Sequence, residues 1–290
     1  MNGILLIDKP EGWTSNDVVM KLRGMLRQRR IGHSGTLDPM ATGLLVVFVG
    51  RATRAVEFAE QHDKRYAAGL RLGLSTDTQD ITGTTLSQSE KLPTEAELLR
   101  AMEAFRGEIS QIPPMYSAIK HHGQRLYEIA RKGGEVERKA RRITIHSLEL
   151  LGRENGDWLL DVRCSKGTYI RTLCHDLGVS LGCGGCMSRL RRLEAGRFSL
   201  ENAVTLPQVQ EAVDRGEAES LLLPVDSLFD HCPAFRVDAW QEKRLRCGNL
   251  IDVELADGEY RVYSESGEFL LLGRVKNEVL TTVKNFFEVK

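Results

Sequence analysis

One carboxylate of this chain stands in a setting suited to chemistry. It is Asp38, inside Gly32-His33-Ser34-Gly35-Thr36-Leu37-Asp38-Pro39-Met40-Ala41-Thr42-Gly43-Leu44-Leu45. Three glycines let the backbone of this stretch approach a partner or take positive φ, and Pro39 biases Asp38 away from the helical region. An acid held in this way is a candidate nucleophile, and equally a residue that caps a turn with its own side chain. The surroundings narrow the chemistry. Five cations (Lys21, Arg23, Arg27, Arg29, Arg30) and no acid lie between Met20 and His33, and eight Lys/Arg face only Glu128, Glu135 and Glu137 between Lys120 and Arg142. Tyr66 and Tyr169 stand in apolar segments, either as core or as surfaces on which a base taken out of its stack could rest. Acid, cations and aromatic rings together point to a reaction on a nucleic acid.

The whole chain restricts the alternatives. Forty Lys/Arg balance forty Asp/Glu, so positive patches and not the overall charge would dock a polyanion. No apolar run approaches the ~20 residues of a membrane span, and the N-terminus lacks a basic start and meets Asp8 too early for a signal peptide. The expected location is the cytoplasm. Six cysteines, at 164, 174, 183, 186, 232 and 247, fit a reducing compartment. Cys183-Gly184-Gly185-Cys186 has half the spacing of a zinc site, but no second CxxC or HxxxH accompanies it, so small buried thiols are expected and no metal. Neither a Walker loop nor a Gly-x-Ser-x-Gly elbow offers another reaction.

The elements that must position Asp38 follow from patterning. Gly3 to Ile7 reads as a strand, and Ser15 as the N-cap of a helix whose Val18, Val19, Leu22 and Leu26 form the buried face. Gly32 to Leu45 then reads as a loop feeding a buried apolar strand. Lys64 to Gly73 alternates as a strand, and Thr94 with Glu97 forms a capping box before a helix buried through Leu98, Leu99, Met102 and Phe105. The Lys120 to Arg142 segment, interrupted by Gly123, Gly133 and Gly134, reads as exposed, mobile and basic. Asn155-Gly156 is a hairpin signal between two strands, and a helix begins near Tyr169. Met187 to Leu193 alternates basic and apolar residues, as a strand with one face on a polyanion would. Beyond Phe235 the texture becomes short β-like runs split by Asp257-Gly258 and Ser266-Gly267.

Lys9-Pro10 with Gly12, Thr14 and Ser15, followed by the Gly32 to Leu45 stretch, closely resembles the paired N-terminal motifs of the TruB family of pseudouridine synthases. The resemblance continues in order through Lys64-Arg65-Tyr66, Asp77-Thr78-Gln79-Asp80, Pro113-Pro114-Met115-Tyr116-Ser117-Ala118, Ser165-Lys166-Gly167-Thr168-Tyr169-Ile170-Arg171 and Leu190-Arg191-Arg192. It implies an α+β fold: a large mixed, mainly antiparallel sheet flanked by helices over residues 1–230, and a small β-rich PUA-like RNA-binding unit over 235–290. It also implies isomerisation of uridine 55 in the tRNA T loop, after base flipping and without a cofactor.

On that resemblance Asp38 is the nucleophile, Tyr66 stacks on the flipped uracil and takes part in proton abstraction, and Arg171 pairs with Asp38. Attack at C1', attack at C6 and a glycal route all remain open. Tyr169 and Leu190 line the pocket, and His33 fills the space left by extruded bases. Lys9 supports the Asp38 loop or the RNA backbone, and Asp80 organises the pocket or RNA contacts. The basic segment near 120–142 corresponds to an insertion that grips the T arm. A monomer with tRNA as its partner, no obligatory protein partner and no membrane is expected, with a tRNA-folding role compatible with catalysis. A guide-RNA-dependent pseudouridylase subunit shares the Asp loop, and the full-length grip segment without long basic tails favours the stand-alone enzyme.

Overall fold

The computed structural model describes residues 1–288, so the last two residues of the expected 235–290 unit lie outside the described residues. Its centre is a nine-stranded sheet. The main path runs Gly3–Lys9, Thr42–Val49, Gly185–Ala195, Lys64–Leu72, Asp157–Cys164, Arg141–Glu154 and Gly107–Gln111. Every neighbouring pair on that path is antiparallel except Thr42–Val49 with Gly185–Ala195, which pair in parallel through Arg191↔Thr42 and Arg192↔Gly43. A close approach is required there. A Cβ at Gly43, whose φ is +96°, would collide with the Arg192 backbone.

Local chemistry explains the flanking elements. The helix Ser15–Met25 is capped by Thr14, whose side chain accepts from Asp17 N at 3.0 Å while the Asp17 carboxylate accepts from Thr14 N at 2.9 Å. Its Val18, Val19 and Leu22 are buried against Leu5, Ile7, Leu45 and Val47, which makes one core layer. The helix Glu95–Glu103 starts at the expected Thr94 capping box and, with Ile170–Ser180, covers the other end of the sheet through Leu98, Met102, Leu173 and Leu177. Asn155 (φ 52°) and Gly156 (φ 86°) form the two-residue hairpin between Glu154 and Asp157, as their types predict.

A second, five-stranded sheet takes in Ala234–Arg236, Gly258–Tyr263, Phe269–Lys276, Val279–Asn285 and Ile251–Asp252, in that order. It has its own core around Val262, Leu271 and Leu280. It also shares an apolar cluster with the large sheet, in which Phe229, Leu272 and Phe286 meet Ile4, Val46 and Phe48. The mixed α+β architecture with a small β-rich unit at the C-terminus is as expected. No helix is long and apolar enough to cross a membrane.

One strand differs in kind from the expectation. Gly185–Ala195 is not a basic face offered to a polyanion: Arg189 pairs with Glu154, Arg191 with Asp8 at 2.7 Å, and Arg192 is buried inside the protein. Irregularities between Met187 and Arg189 and between Arg192 and Glu194 shift the register, which alternation along a sequence cannot reveal.

Candidate active site

Asp38 sits in the connection between the strands Ile31–Ser34 and Thr42–Val49, and neighbouring segments pin that connection at both sides of the acid. On the N-terminal side the Ser15 hydroxyl accepts from Leu37 N at 2.9 Å and donates to Leu37 O at 3.2 Å. On the C-terminal side Pro39 O accepts from Gly12 N at 2.8 Å, and Ala41 N donates to Asp38 O at 3.0 Å. Lys9 completes the support. Fully buried, it donates from Nζ to Trp13 O at 2.6 Å, Pro10 O at 2.9 Å and Pro39 O at 3.3 Å. Burial lowers its ammonium pKa to about 8, against the pull of the Asp38 carboxylate.

The carboxylate itself meets Arg171, on the first turn of the helix Ile170–Ser180. Nε lies 2.9 Å from Oδ2 and Nη2 3.3 Å from Oδ1, the two-pronged geometry that fixes a carboxylate in plane. The guanidinium is 6% exposed while the Asp38 side chain keeps 34% of its surface open, so the acid is backed by protein and faces outward. Arg171 also donates to Thr78 O at 3.1 Å and Tyr116 O at 2.8 Å, and its Nη1 lies 3.7 Å from the Asp80 carboxylate. Asp80 is held in turn by Thr82 N at 3.0 Å, Thr82 Oγ1 at 2.6 Å and Thr78 Oγ1 at 2.9 Å. Burial raises the Asp38 carboxyl above the ordinary carboxylate value and Asp80 adds to the rise, while Arg171 and Lys9 oppose it. The arrangement can present an ionisable carboxylate of fixed orientation to an electrophile.

Two family models cover most of the chain: the N-terminal domain of TruB family pseudouridylate synthase over residues 23–170 and the tRNA pseudouridylate synthase B C-terminal domain over 171–230. The chain belongs to the TruB family. The tRNA pseudouridine synthase B of Aromatoleum aromaticum is 47% identical over 274 residues, 94% of this chain and 88% of that protein. That of Clostridium kluyveri is 42% identical over 99% of this chain and 100% of its own. Among solved structures, a chain of a Cbf5-Nop10-Gar1 complex superposes with a TM-score of 0.75 at 26% identity, covering 99% of this chain and 85% of that one. The protein is thus a tRNA pseudouridine synthase, an isomerase.

The synthase gathers most of the residues singled out from sequence around Asp38. Tyr66, 8% exposed on the strand Lys64–Leu72, shares an apolar cluster with Leu37, Ile170 and Leu190. Burial pushes its phenol above the ordinary value, the Asp38 charge adds to this and Arg192 acts against it. Tyr169, half-buried, immediately precedes the helix bearing Arg171. His33 lies half-buried on the strand Ile31–Ser34, with a buried Nδ1 that has no hydrogen-bond partner, and burial lowers its pKa. Lys9, expected on the Asp38 loop or on RNA, has its ammonium committed to Pro39 O of that loop and to Pro10 O and Trp13 O of the segment before the first helix. Cys183 and Cys186 are both buried thiols.

Three residues that sequence reasoning did not assign to the site turn out to shape it. Ser15, read as an N-cap, yields that role to Thr14 and staples Leu37 instead. Gln111 brackets Tyr169, donating to its carbonyl at 3.1 Å and accepting from its N–H at 2.8 Å. Arg192 reaches the Asp38 loop from beneath. A buried serine, glutamine or arginine needs partners, but nothing local in the sequence names a partner many residues away.

The cations expected to meet RNA divide in two. Lys21 on the first helix and Arg27, Arg29 and Arg30 just after it are exposed, ahead of the strand that carries His33. In the basic segment a short hairpin, Lys120–His121 with Gln124–Arg125, leads into the helix Leu126–Ala130. Its root is tied back by Tyr127 N donating to Ser117 O at 3.1 Å and Leu126 N to Ile119 O at 2.8 Å. Arg125, Arg131, Lys132, Lys139 and Arg141 are exposed along it.

Proposed function

We propose that this synthase isomerises uridine 55 in the T loop of tRNA, with Asp38 as nucleophile. The reaction balances within the substrate: the C1'–N1 bond breaks, a C1'–C5 bond forms, N1 gains a proton and C5 loses one. Asp38 stabilises or traps the substrate as the glycosidic bond breaks. The reading rests above all on the two-pronged contact with Arg171, which keeps a partly open carboxylate oriented at the end of a pinned loop.

In this reading Tyr66 stacks on the flipped uracil, and Leu190 and Tyr169 line the pocket. A phenol whose pKa is raised by burial favours its neutral form, so stacking is the better supported part of its role. His33, kept neutral by burial, fills space among displaced bases. Lys9 holds the loop, and Asp80 holds Arg171. Exposed cations near His33 and along 120–142 take phosphates of the T arm, so affinity falls as salt rises. The C-terminal unit, 235–290, adds contacts to tRNA outside the T arm. The helix Ala239–Arg246 supports this through Trp240, 64% exposed, whose ring lies 5.1 Å from the Arg244 guanidinium. A nearby cleft lined by Asp238, Asp252, Glu254, Glu265 and Glu278 would repel phosphate, so the helix and not the cleft is the contact.

Asp38→Asn tests the assignment. The variant should bind tRNA and form no pseudouridine, read by carbodiimide-dependent primer extension; substantial product would refute the nucleophile. The purified wild type, assayed on a bare T-arm stem-loop and on full tRNA, should act on both without guide RNA or a protein partner. Tighter binding of the full tRNA would report the C-terminal unit.

A further inference from the structure

Arg192 is the largest fully buried side chain among the described residues, 1% exposed. Its Nε donates to Leu44 O at 2.6 Å and its Nη2 to Gly35 O at 3.1 Å, so one guanidinium ties together the two ends of the loop that carries Asp38. In the antiparallel register Arg192 stands directly opposite Tyr66, and in the parallel register opposite Gly43. Directly opposed side chains on neighbouring strands share a face and touch. No carboxylate pairs with Arg192 among the described residues, and Lys9, Lys64 and His33 all feel its charge.

An unpaired buried cation is costly, and an aliphatic side chain would fill the space without that cost. What an aliphatic side chain lacks is donors. A guanidinium offers five N–H groups in a rigid fork and no acceptor, so it can hold two carbonyls from different parts of a loop at once. For the same reason a tyrosine hydroxyl beside it can only accept from it, which leaves the phenolic O–H directed elsewhere.

We propose that Arg192 is a positioning residue for the isomerisation: it locks the Asp38 loop and Tyr66 into one register, so that nucleophile and stacking ring close on the same uracil. The inference rests on the roles proposed for Asp38 and Tyr66. The demand on Arg192 is geometric, and a displacement of the order of 1 Å costs about 10²-fold in rate while leaving the RNA-binding surface intact.

Arg192→Lys and Arg192→Met should be assayed on a T-arm stem-loop beside Asp38→Asn, with the folded fraction measured by circular dichroism at the assay temperature. Per folded molecule, Arg192→Met should lose about 10²-fold in kcat with KM within about threefold of wild type, and Arg192→Lys, which keeps one donor group, should recover part of the loss. Wild-type kcat per folded molecule in both variants, or a loss confined to KM, overturns the inference. Product from Asp38→Asn would overturn the underlying reading instead. Should both Arg192 variants fail to fold, Gly35→Ala strains the backbone at φ +76° and crowds Nη1 at 3.2 Å in a chain that keeps the arginine. An unchanged kcat there counts against the proposal.

Discussion

Arg171 grips Asp38 through two N–H groups, Nε on Oδ2 at 2.9 Å and Nη2 on Oδ1 at 3.3 Å. A lysine at this position keeps the charge and loses the fork. Arg171→Lys should therefore lower kcat by about 10²-fold while tRNA affinity, measured by filter binding, stays near wild type. Equal turnover by the two proteins would mean that charge alone suffices. Arg171→Ala also strands buried Asp80 and should cost about 3 to 5 kcal/mol of stability in urea unfolding.

The acid limb of the pH–rate profile reports the same carboxylate. In its proposed role Asp38 acts ionised, so kcat/KM should fall as pH drops through its folded pKa, which burial and Asp80 place above the ordinary 3.8. Removing the like charge in Asp80→Asn should move that limb to lower pH, and losing the two-pronged hydrogen bond in Arg171→Lys should move it higher. Shifts of the opposite sign would show that Asp38 does not set the limb.

Lys9 gives a stability signature at the alkaline end. With its pKa lowered to about 8 from 10.5, the folded chain holds fewer protons than the unfolded chain between those values. Its contribution makes stability rise with pH across that window. Lys9→Met should remove this slope in denaturant melts. It should also leave the carbonyls of Pro10, Trp13 and Pro39 short of a donor, at about 1 to 3 kcal/mol. A melt as stable as wild type at pH 7 would contradict the clamp.

Tyr66 separates stacking from hydroxyl chemistry. Tyr66→Phe should keep affinity for T-arm RNA and lose what the hydroxyl contributes to turnover, whereas Tyr66→Ala should also lose stacking worth roughly 1 to 3 kcal/mol. Equal affinities, measured by fluorescence titration, would leave the ring a core residue only.

How much of this was legible in the sequence depends on the range over which each signal acts. Thr94 with Glu97, Asn155-Gly156 and the buried face of the first helix are local patterns, and each appears where its type predicts. Asp38 stood out because glycines and Pro39 crowd around it, and the ordered motifs named Arg171, which indeed meets it. What stayed hidden is a matter of register and long-range pairing. Ser15 meets Leu37 across 22 positions, Gln111 meets Tyr169 across 58, and Arg192 meets Leu44 across 148. Arg192 follows buried Leu190 by two residues in unbroken register and so shares its inner face, a placement that the run of neighbouring arginines disguises.

The carbonyls of Thr78 and Tyr116 hold the Arg171 guanidinium independently of its ion pair. A carboxylate that bonds covalently to its substrate gives up most of its charge, and the guanidinium cannot follow it or retreat to water. The intermediate would thus face a cation whose best partner had gone, with Asp80 still 3.7 Å away as a lesser one. Reforming the free Asp38 carboxylate would restore that pair, so in the proposed nucleophilic route the same fixed arginine that orients the acid for attack would also favour its release, and turnover over capture.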